Sequence, residues 1–459
     1  MLTANSDMLE SVITRRGFLA AAAAVPALPA KPAAYGAVPS PRQLHWHELE
    51  TTAFLHFTVN TFTNKEWGYG DEDPNIFNPT AFDADAIVSA LAYAGMRGVI
   101  LTCKHHDGFC LWPTKTTDHS VRKSSWKSGE GDVVRAISDS ARRHKLEFGV
   151  YLSPWDRNSA AYGTPDYIRI YRAQLTELLT NYGPIFEVWH DGANGGDGYY
   201  GGAREKRSID RNTYYDWPGT WELTRKLQPN ACIFSDVGPD VRWVGNERGI
   251  AGDPCWATYD PVGANGGPAS PGNVRERESP AGTRHGSHWL PAECDVSIRP
   301  GWFWHEAENA RVKTPAQLID LYYKSVGRGA NLLLNVPPNR EGLLQKEDIE
   351  SLKAFGDWRR KTFGVNRAAK AKLAQNTLTF PHPVEVKVVR LREDIRHGQR
   401  IDAAVLENWN GASWETAANI TSIGPRRLIA FEKPLTATRL RLRVTESVAP
   451  PLLAEFSVW

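Results

Sequence analysis

At 459 residues the chain is long enough for one large domain and a smaller one, and its 41% hydrophobic residues can supply a sizeable core. The net charge of +2 argues against an electrostatic nucleic-acid binder or an acidic tail protein. The 17 Trp residues exceed what packing requires, and they slightly favour a site that stacks flat, partly apolar ligands such as sugar rings over an aromatic-rich core.

The N-terminal segment has the pattern of a twin-arginine export signal. Arg15 and Arg16 stand directly before a short, Ala-rich apolar run that ends in small residues near Ala30. The run is too short to span a bilayer as a mature anchor. The five Cys are an odd number without a CxxC pair, so they do not form a disulfide framework. Residues 1–30 are therefore predicted to be a signal peptide, with a mature start between residues 28 and 40 and a periplasmic or secreted destination.

Apolar, β-branched-rich runs alternate with helical patterns over the first two-thirds of the chain. The runs start at Ala53, Gly98, Leu146, Ile185 and Ala231, and helical patterns between them cover 84–95, 132–145 and 165–183. Such alternation indicates a parallel sheet with helices outside. Its regular repeat, without a GxGxxG after the first strand, suits a (β/α)8-like TIM barrel better than a doubly wound sheet. This barrel is predicted over 40–365, and it is expected to be irregular because 255–315 is loop-rich and eight repeats cannot be counted.

The sequence pattern changes after a helical pattern over 347–364, which is expected to close the barrel. Residues 370–459 alternate short strand patterns with turns and contain no long helical pattern, which predicts a C-terminal antiparallel β-sandwich. No decisive aromatic platform appears in this segment, so a structural role is preferred to glycan binding.

Polar and aromatic residues gather at the carboxyl ends of the predicted strands, where the active site of a (β/α) barrel lies. Five such endings in succession indicate a site rather than strands that merely run into polar loops. In chain order the endings carry His56, Asn60 and Trp67; Lys104, His105, His106 and Asp107; Tyr151, Trp155 and Asp156; Trp189, His190 and Asp191; and Asp236, Asp240 and Glu247.

The residue types favour a neutral polyol over a metal. His105 and His106 are adjacent, so their side chains are expected on opposite faces of a strand, and neither an HxH nor an HExxH pair is present. No metal and no cofactor is predicted. Imidazoles donating hydrogen bonds to hydroxyl groups, beside Trp faces for stacking, suit a sugar. The sequence contains no Gly-rich phosphate loop, Ser nucleophile elbow or Cys/His signature that would indicate a different reaction.

Hydrolysis of a glycoside usually requires two carboxyl groups, one of which is the nucleophile in a retaining enzyme. Asp191 is the best candidate nucleophile, because a rigid strand end holds attack geometry and neighbouring donors keep a carboxylate ionised. Glu247, on a loop, is a candidate proton donor. From spacing alone the rivals are Asp107, Asp156, Asp236 and Asp240.

Five motifs in the order "HFTVNTFTNKEWG", "KHHDGFCLWPT", "GVYLSPWD", "EVWHDGANG" and "GRGANLLLNVPPNREG" extend from about residue 45 to 365. In these motifs the sequence resembles the α-L-fucosidases of glycoside hydrolase family 29. The resemblance implies an exo-acting, retaining hydrolase that removes terminal α-L-fucose through a fucosyl-enzyme intermediate, and the C-terminal segment looks like the family's usual appended sandwich.

The resemblance also assigns residues. Asp191 takes the place of the nucleophile, whereas His190 stands where the family commonly has an aromatic residue. "GPDVRWVGNERG" resembles the branch that acts on α-1,3 and α-1,4 linkages, in which the Glu of "GNE", here Glu247, is the acid/base. The positions that match the fucose pocket are His56, Trp67, His105, His106 and Tyr151.

Further aromatic residues are predicted to contact the substrate. Fucose has a C5 methyl group and an apolar face, for which Trp67 and either Trp302 or Trp304 would provide contact. Trp155 and Trp243 complete the predicted binding set, with the alternative that Trp243 packs its own loop. The predicted partner is a fucosylated glycan, with no nucleic acid and no membrane span. Two other functions remain open here: a non-catalytic sugar-binding barrel, and a glycosidase for a different deoxy or galacto-configured sugar.

Overall fold

The computed structural model describes residues 32–459. The predicted signal peptide, residues 1–30, lies outside the described residues. Within 32–459, no helix has both the length and the apolar character needed to cross a membrane.

Eight parallel strands in the described residues close into a barrel, in which each strand pairs with the next along the chain and the last pairs with the first. The strands are β1 (Thr51–Leu55), β2 (Gly98–Lys104), β3 (Glu147–Leu152), β4 (Glu187–Trp189), β5 (Cys232–Ser235), β6 (Val241–Trp243), β7 (Ala292–Ser297) and β8 (Asn331–Asn335).

Helices pack around this barrel and begin at clear capping residues. The Asp83 carboxylate accepts the backbone N–H groups of the first turn of a helix, and Asp132 does the same for the next. Ser40 and Thr314 each form a capping box ahead of a Pro. The helices are α1 (Pro41–Leu49), α2 (Val59–Thr63), α3 (Ala84–Tyr93), α4 (Val133–Arg143), α5 (Pro165–Asn181), α6 (Trp217–Leu227), α7 (Pro315–Lys324) and α8 (Lys346–Thr362).

The expected irregularity lies in the second half of the barrel. A turn at 236–240, instead of a helix, joins β5 to β6. The long connection from β6 to β7 contains a short antiparallel pair, Thr258–Tyr259 with His288–Trp289. Another such pair, Gly196–Gly198 with Glu205–Arg207, follows β4. Because β6 has only three residues and β7 follows a Gly- and Pro-rich stretch, neither has a periodic signal that separates it from loop.

The C-terminal strands form an antiparallel sheet around their own apolar core. The two longest strands carry register shifts, which let them bend around that core. The fold class, a TIM barrel followed by a β-sandwich, is confirmed. The strands are β9 (Lys372–Ala374), β10 (Thr377–Glu393), β11 (Ile401–Trp409), β12 (Trp414–Ile420), β13 (Arg427–Ser447) and β14 (Leu453–Val458).

Candidate active site

A cavity opens at the carboxyl ends of the barrel strands, where the active site of such a barrel lies. Aromatic rings, imidazoles and carboxyl groups line it together, which suits a ligand with both apolar and hydroxyl surface. Its lining residues are Phe54, His56, Glu66, Trp67, His105, His106, Tyr151, Trp189, Asp191, Ala193, Glu247, Asp295 and Trp302.

Asp191 is held at the rim by local hydrogen bonds. Strand β4 ends at Trp189, and the backbone N–H of Ala193 donates to Asp191 Oδ1 at 2.6 Å. The Tyr151 hydroxyl donates to Asp191 Oδ2 at 2.9 Å, and His106 Nε2 lies 3.9 Å from the same oxygen. The side chain is 23% exposed, so its carboxylate is oriented by donors yet open to the cavity.

His190 points away from this cavity. Its Nδ1 lies 2.8 Å from the hydroxyl of Tyr171 on α5, and its ring lies 5.1 Å from that of Trp217 on α6. Burial lowers the His190 pKa to about 3. Alternation along the chain places Trp189 and Asp191 inside the barrel and His190 among the helices. The presence of His190 where the family commonly has an aromatic residue therefore changes the packing between β4 and the helices, on the side away from the cavity.

The hydrogen-bond network fixes the tautomer of His56. Asn335 Nδ2 donates to Ser297 Oγ at 2.9 Å and to the Trp302 carbonyl at 2.8 Å, so the amide oxygen faces His56. His56 Nδ1 lies 2.9 Å from that oxygen and must carry the hydrogen. Burial lowers the His56 pKa to about 3, so the ring is neutral and Nε2 accepts a hydrogen bond.

His106 has the same tautomer for a similar reason. The Ser153 hydroxyl donates to the Trp155 carbonyl at 2.7 Å, so it accepts from His106 Nδ1, also at 2.7 Å. Burial lowers the His106 pKa to about 4. With these tautomers the Nε2 atoms of His56 and His106 are acceptors, so we expect these two imidazoles to accept hydrogen bonds from ligand hydroxyls rather than to donate them.

His105 and His106 line the same cavity, with ring centroids 4.0 Å apart. The expectation that they lie on opposite faces is wrong because β2 ends at Lys104 and the pair lies in the following turn, where strand alternation no longer applies. His105 stacks on Tyr151 at 5.8 Å, and its pKa is lowered by burial and by the charge that a protonated His106 would carry.

Glu247, on the loop after β6, lines the same cavity as Asp191. Partial burial raises the pKa of Glu247, a hydrogen bond from the Trp302 side chain opposes this rise, and the negative charge of Asp191 adds to it. A carboxyl group with a raised pKa can hold a proton at the mouth of the site.

Two predicted aromatic residues form cavity walls. Trp67 is 53% exposed, and its ring meets that of His106 edge-on at 5.2 Å. Trp302 lies 5.1 Å from the ring of His56, whereas Trp304 is buried against Arg340 and does not line the cavity. Of the two alternatives for the second aromatic contact, the structure places Trp302 at the site.

Trp155 lies behind the cavity wall. Its indole N–H donates to the Tyr200 hydroxyl at 3.0 Å, and its ring contacts Trp67 at 5.6 Å and His106 at 5.4 Å. It is 3% exposed, so it supports lining residues and is not one of them.

A second cavity adjoins the first, and Asp191 and Glu247 line both. Trp243 lines this second cavity, and its indole donates to Asp295 Oδ1 at 2.7 Å. Asp236 lies there too, where burial raises its pKa to about 7 while the Gly272 N–H donates to its carboxylate.

The other rival carboxylates are engaged in structural contacts. Asp107 accepts from the Thr58 hydroxyl and the Phe109 N–H. Asp156 pairs with the fully buried Lys104 at 3.1 Å. Asp240 pairs with Arg42 and Arg225. Of the four alternative carboxylates, Asp236 is therefore the one that still lies beside Asp191 and Glu247 as a candidate catalytic group.

Sequence reasoning missed four lining residues, Phe54, Glu66, Ala193 and Asp295. Asp295 lies on β7, two residues after Glu293, so the pattern "AECDVS" with acids on one strand face was the available signal. Among residues 32–459, no group of three or more His, Cys, Asp or Glu is arranged to hold a metal ion.

Comparison with known sequences gives one consistent result. A family model described as Alpha-L-fucosidase matches residues 35–362. The chain is 41% identical over 461 residues to Alpha-L-fucosidase 1 of Arabidopsis thaliana, covering 92% of this chain and 87% of that one.

Solved structures agree with this result. A glycoside hydrolase 29 family member from an unknown rumen bacterium is 44% identical with a TM-score of 0.86, covering 94% of this chain and 78% of that one. A Ruminococcus gnavus GH29 fucosidase in complex with fucose is 29% identical with a TM-score of 0.80, covering 94% of this chain and 96% of that one.

Proposed function

The chain belongs to the α-L-fucosidase family of glycoside hydrolases and is an α-L-fucosidase; from this premise we propose that it removes terminal α-1,3- or α-1,4-linked L-fucose from glycans with retention of configuration. Asp191 is the nucleophile and Glu247 the acid/base. The observation that carries the proposal is that these two carboxyl groups, one oriented by donors and one with a raised pKa, line the same pair of adjoining cavities.

In the first step the Asp191 carboxylate attacks the anomeric carbon of fucose. The bond from that carbon to the leaving oxygen breaks, and Glu247 gives its proton to this oxygen. In the second step Glu247 takes a proton from water, the water oxygen attacks the anomeric carbon, and the ester bond to Asp191 breaks.

The charge of Asp191 couples the two steps. It raises the pKa of Glu247 and so favours the protonated acid that the first step needs. Ester formation removes this charge, which lowers the pKa of Glu247 and favours the base that the second step needs.

The cavity supplies the contacts that a fucosyl ring requires. The Nε2 atoms of His56 and His106 accept hydrogen bonds from sugar hydroxyls. Trp67 and Trp302 pack against the apolar face and the methyl group. The second cavity, beyond Glu247, receives the leaving sugar, with Trp243 available for stacking.

The nucleophile is tested by Asp191→Gly, assayed with an aryl α-L-fucoside and an aryl β-D-galactoside. The wild type is expected to hydrolyse only the fucoside, and the variant to lose turnover by several orders of magnitude while remaining folded. Asp197→Asn, a 69% exposed carboxylate on the neighbouring loop, is the matched control and keeps wild-type turnover. Near-native turnover of Asp191→Gly would remove Asp191 from the mechanism.

The acid/base is tested by Glu247→Ala with leaving groups of graded pKa. Poor leaving groups are expected to suffer most, since they need the proton, and azide is expected to restore part of the turnover of activated substrates. An equal loss for all leaving groups, without azide rescue, excludes this role.

The linkage is tested by digesting α-1,2-, α-1,3-, α-1,4- and α-1,6-fucosylated oligosaccharides and following the products by mass. The "GNE" loop that carries Glu247 supports release from the α-1,3 and α-1,4 linkages. Preference for α-1,2 linkages contradicts the proposed specificity.

We also propose export through the twin-arginine route, supported by Arg15 and Arg16 before the short apolar run. Replacement of both by Lys is expected to retain the full-length protein in the cytoplasm, measured by cell fractionation. Unchanged export of this variant refutes the route.

A further inference from the structure

Two fully buried glutamates lie inside the barrel beneath the cavity floor. Glu187 on β4 accepts a hydrogen bond from the indole of Trp46 on α1, with Nε1 to Oε2 at 3.0 Å. Glu293 on β7 accepts from the indole of Trp189, with Nε1 to Oε1 at 2.9 Å. Both glutamates are 0% exposed, and no ion pair within residues 32–459 includes either.

The second oxygen of each carboxyl group lacks a hydrogen-bond donor. Glu187 Oε1 and Glu293 Oε2 are buried, and neither has a hydrogen-bond partner in the described part of the chain. The two carboxyl groups are close enough for each to shift the pKa of the other. A proton held between them would supply the donor that both oxygens lack.

The surroundings favour retention of that proton. Burial raises the pKa of both glutamates, that of Glu293 to about 8. The other titratable groups that face the pair are acidic or neutral: Asp240, whose charge is taken up by Arg42 and Arg225, Asp295 on β7, and the thiols of Cys232 and Cys294.

Of the two glutamates, Glu293 is the one whose indole partner lines the cavity. Trp189, held by Glu293, lines it and stacks on Tyr151 with ring centroids 5.4 Å apart. Tyr151 in turn donates to Asp191. Trp46, held by Glu187, belongs to the barrel interior and lines neither cavity.

We propose that Glu293 is a positioning residue of the fucosidase site: its hydrogen bond fixes the indole of Trp189 and hence the Tyr151 hydroxyl that orients Asp191, while a proton shared with Glu187 allows both carboxyl groups to stay buried. This role rests on the proposed function of Asp191 for its effect on turnover. The orientation of Trp189 in the cavity floor and the proton shared by the two glutamates do not depend on whether Asp191 is the nucleophile.

The positioning role is tested by comparing Glu293→Leu with Glu187→Leu. Each leaves one buried carboxyl group without its partner, so the two lose stability together, but only Glu293→Leu frees the Trp189 indole. Glu293→Leu is expected to weaken the binding of L-fucose, measured by calorimetric titration, and to lower kcat/KM for an aryl α-L-fucoside, each at least tenfold. Glu187→Leu is expected to stay within about threefold of the wild type in both. Equal losses in the two variants overturn the role.

Conservative variants keep the test decisive if the Leu variants do not fold. In Glu293→Gln the amide oxygen still accepts from Trp189 and the amide N–H donates to Glu187, so L-fucose affinity and kcat/KM are expected within about threefold of the wild type. A Gln variant that loses tenfold in affinity contradicts the positioning role. Because L-fucose binding is measured without turnover, loss of the proposed nucleophilic role of Asp191 leaves this comparison intact.

The shared proton is tested by the pH dependence of unfolding in denaturant between pH 5 and 8. The folded pair retains a proton that free glutamates, with pKa values near 4.3, have released, so this contribution to stability is lost as pH rises through the window. One proton corresponds to about a tenfold change in the unfolding constant per pH unit. Glu293→Gln and Glu187→Gln are each expected to flatten the wild-type dependence by about that amount. A slope equal to that of the wild type in both variants refutes the shared proton.

Discussion

At the scale of single residues, Asp191 depends on donors that come from other strands. The Tyr151 hydroxyl donates to its Oδ2 from β3, and the ring of Tyr151 is itself fully buried. A hydrogen bond to a carboxylate contributes about 1.5–3 kcal/mol, more than a bond between neutral groups. The orientation of the proposed nucleophile is therefore set by a neighbour that local sequence does not reveal.

Tyr151→Phe is expected to lower kcat for an aryl α-L-fucoside by about ten- to hundredfold, because it removes this charge-assisted bond and keeps the ring. Steady-state kinetics measure the loss. Tyr171→Phe is the matched control, since its hydroxyl donates to the Leu152 carbonyl behind His190 and does not reach the cavity. A similar fall in both variants shows that general packing, and not the bond to Asp191, is responsible.

Gly192, directly after Asp191, leaves no room for a side chain. A Cβ at this position would lie 2.4 Å from Asp236 Oδ2, and that carboxylate is held by the Gly272 N–H. Gly192→Ala is therefore expected to displace the turn and lower kcat/KM at least tenfold. In an Asp236→Ala background, where the clash is absent, the same substitution is expected to cost much less. An equal cost in both backgrounds contradicts this explanation.

At the scale of elements, the site depends on how loops after different strands are joined. Glu66, on the loop after α2, accepts the backbone N–H groups of Trp302 at 2.8 Å and Phe303 at 3.2 Å. It also lies 2.6 Å from His305 Nε2. One carboxylate thus holds the segment that carries the Trp302 wall of the cavity.

Glu66→Ala is expected to raise KM for an aryl α-L-fucoside about tenfold, because it releases the backbone of Trp302, with a smaller effect on kcat. Asn64→Gly is the matched control: glycine tolerates the positive φ of 59° at this position, and the change removes the contact to His305 Nδ1 at 2.8 Å, at the far end of the same segment. If the control raises KM as much as Glu66→Ala does, the anchoring of Trp302 is not the cause.

At the scale of the whole molecule, the C-terminal sandwich is joined to the amino-terminal end of the barrel. Val388 and Leu428 of the sandwich belong to the same apolar cluster as the barrel strands and helices. The fully buried Arg426 pairs with Glu50 at 3.1 Å and donates to the His47 carbonyl at 2.9 Å. The sandwich therefore stabilises the end of the barrel opposite the cavity, which supports the structural role predicted for it.

Arg426→Met is expected to lower the free energy of unfolding by about 1.5–3 kcal/mol, because it removes the buried guanidinium group from Glu50, whose remaining ion pairs, to Arg359 and Arg390, are longer. Denaturant unfolding measures this loss, and kcat/KM at 25 °C is expected to stay within about twofold of the wild type. Lys346→Met is the control: its pair with Glu350 is 79% and 65% exposed, and its loss is expected to cost less than about 1 kcal/mol. A marked fall in kcat/KM for Arg426→Met would instead couple the sandwich to catalysis.

The sequence by itself determined the elements with strong periodic patterns. Strand β2, helices α3 to α5 and the long helix α8 lie within a few residues of their predicted bounds, since buried strands and amphipathic helices have distinct periods. The barrel topology then placed the strand ends together, which is why Asp191, Glu247 and the imidazoles could be nominated from position and residue type.

Only the tertiary structure decided what depends on partners distant along the chain. The strands β6 and β7 form because their neighbours in the barrel supply hydrogen bonds that their own residues do not predict. Distant partners also distinguish Asp191 from Asp107, Asp156 and Asp240 as the candidate nucleophile. These three carboxylates are bound by a Thr, a Lys and an Arg respectively, and the local sequence around them does not show it. Distant partners likewise make His56 and His106 acceptors, because the proton position follows from Asn335 and Ser153 and not from the histidines themselves.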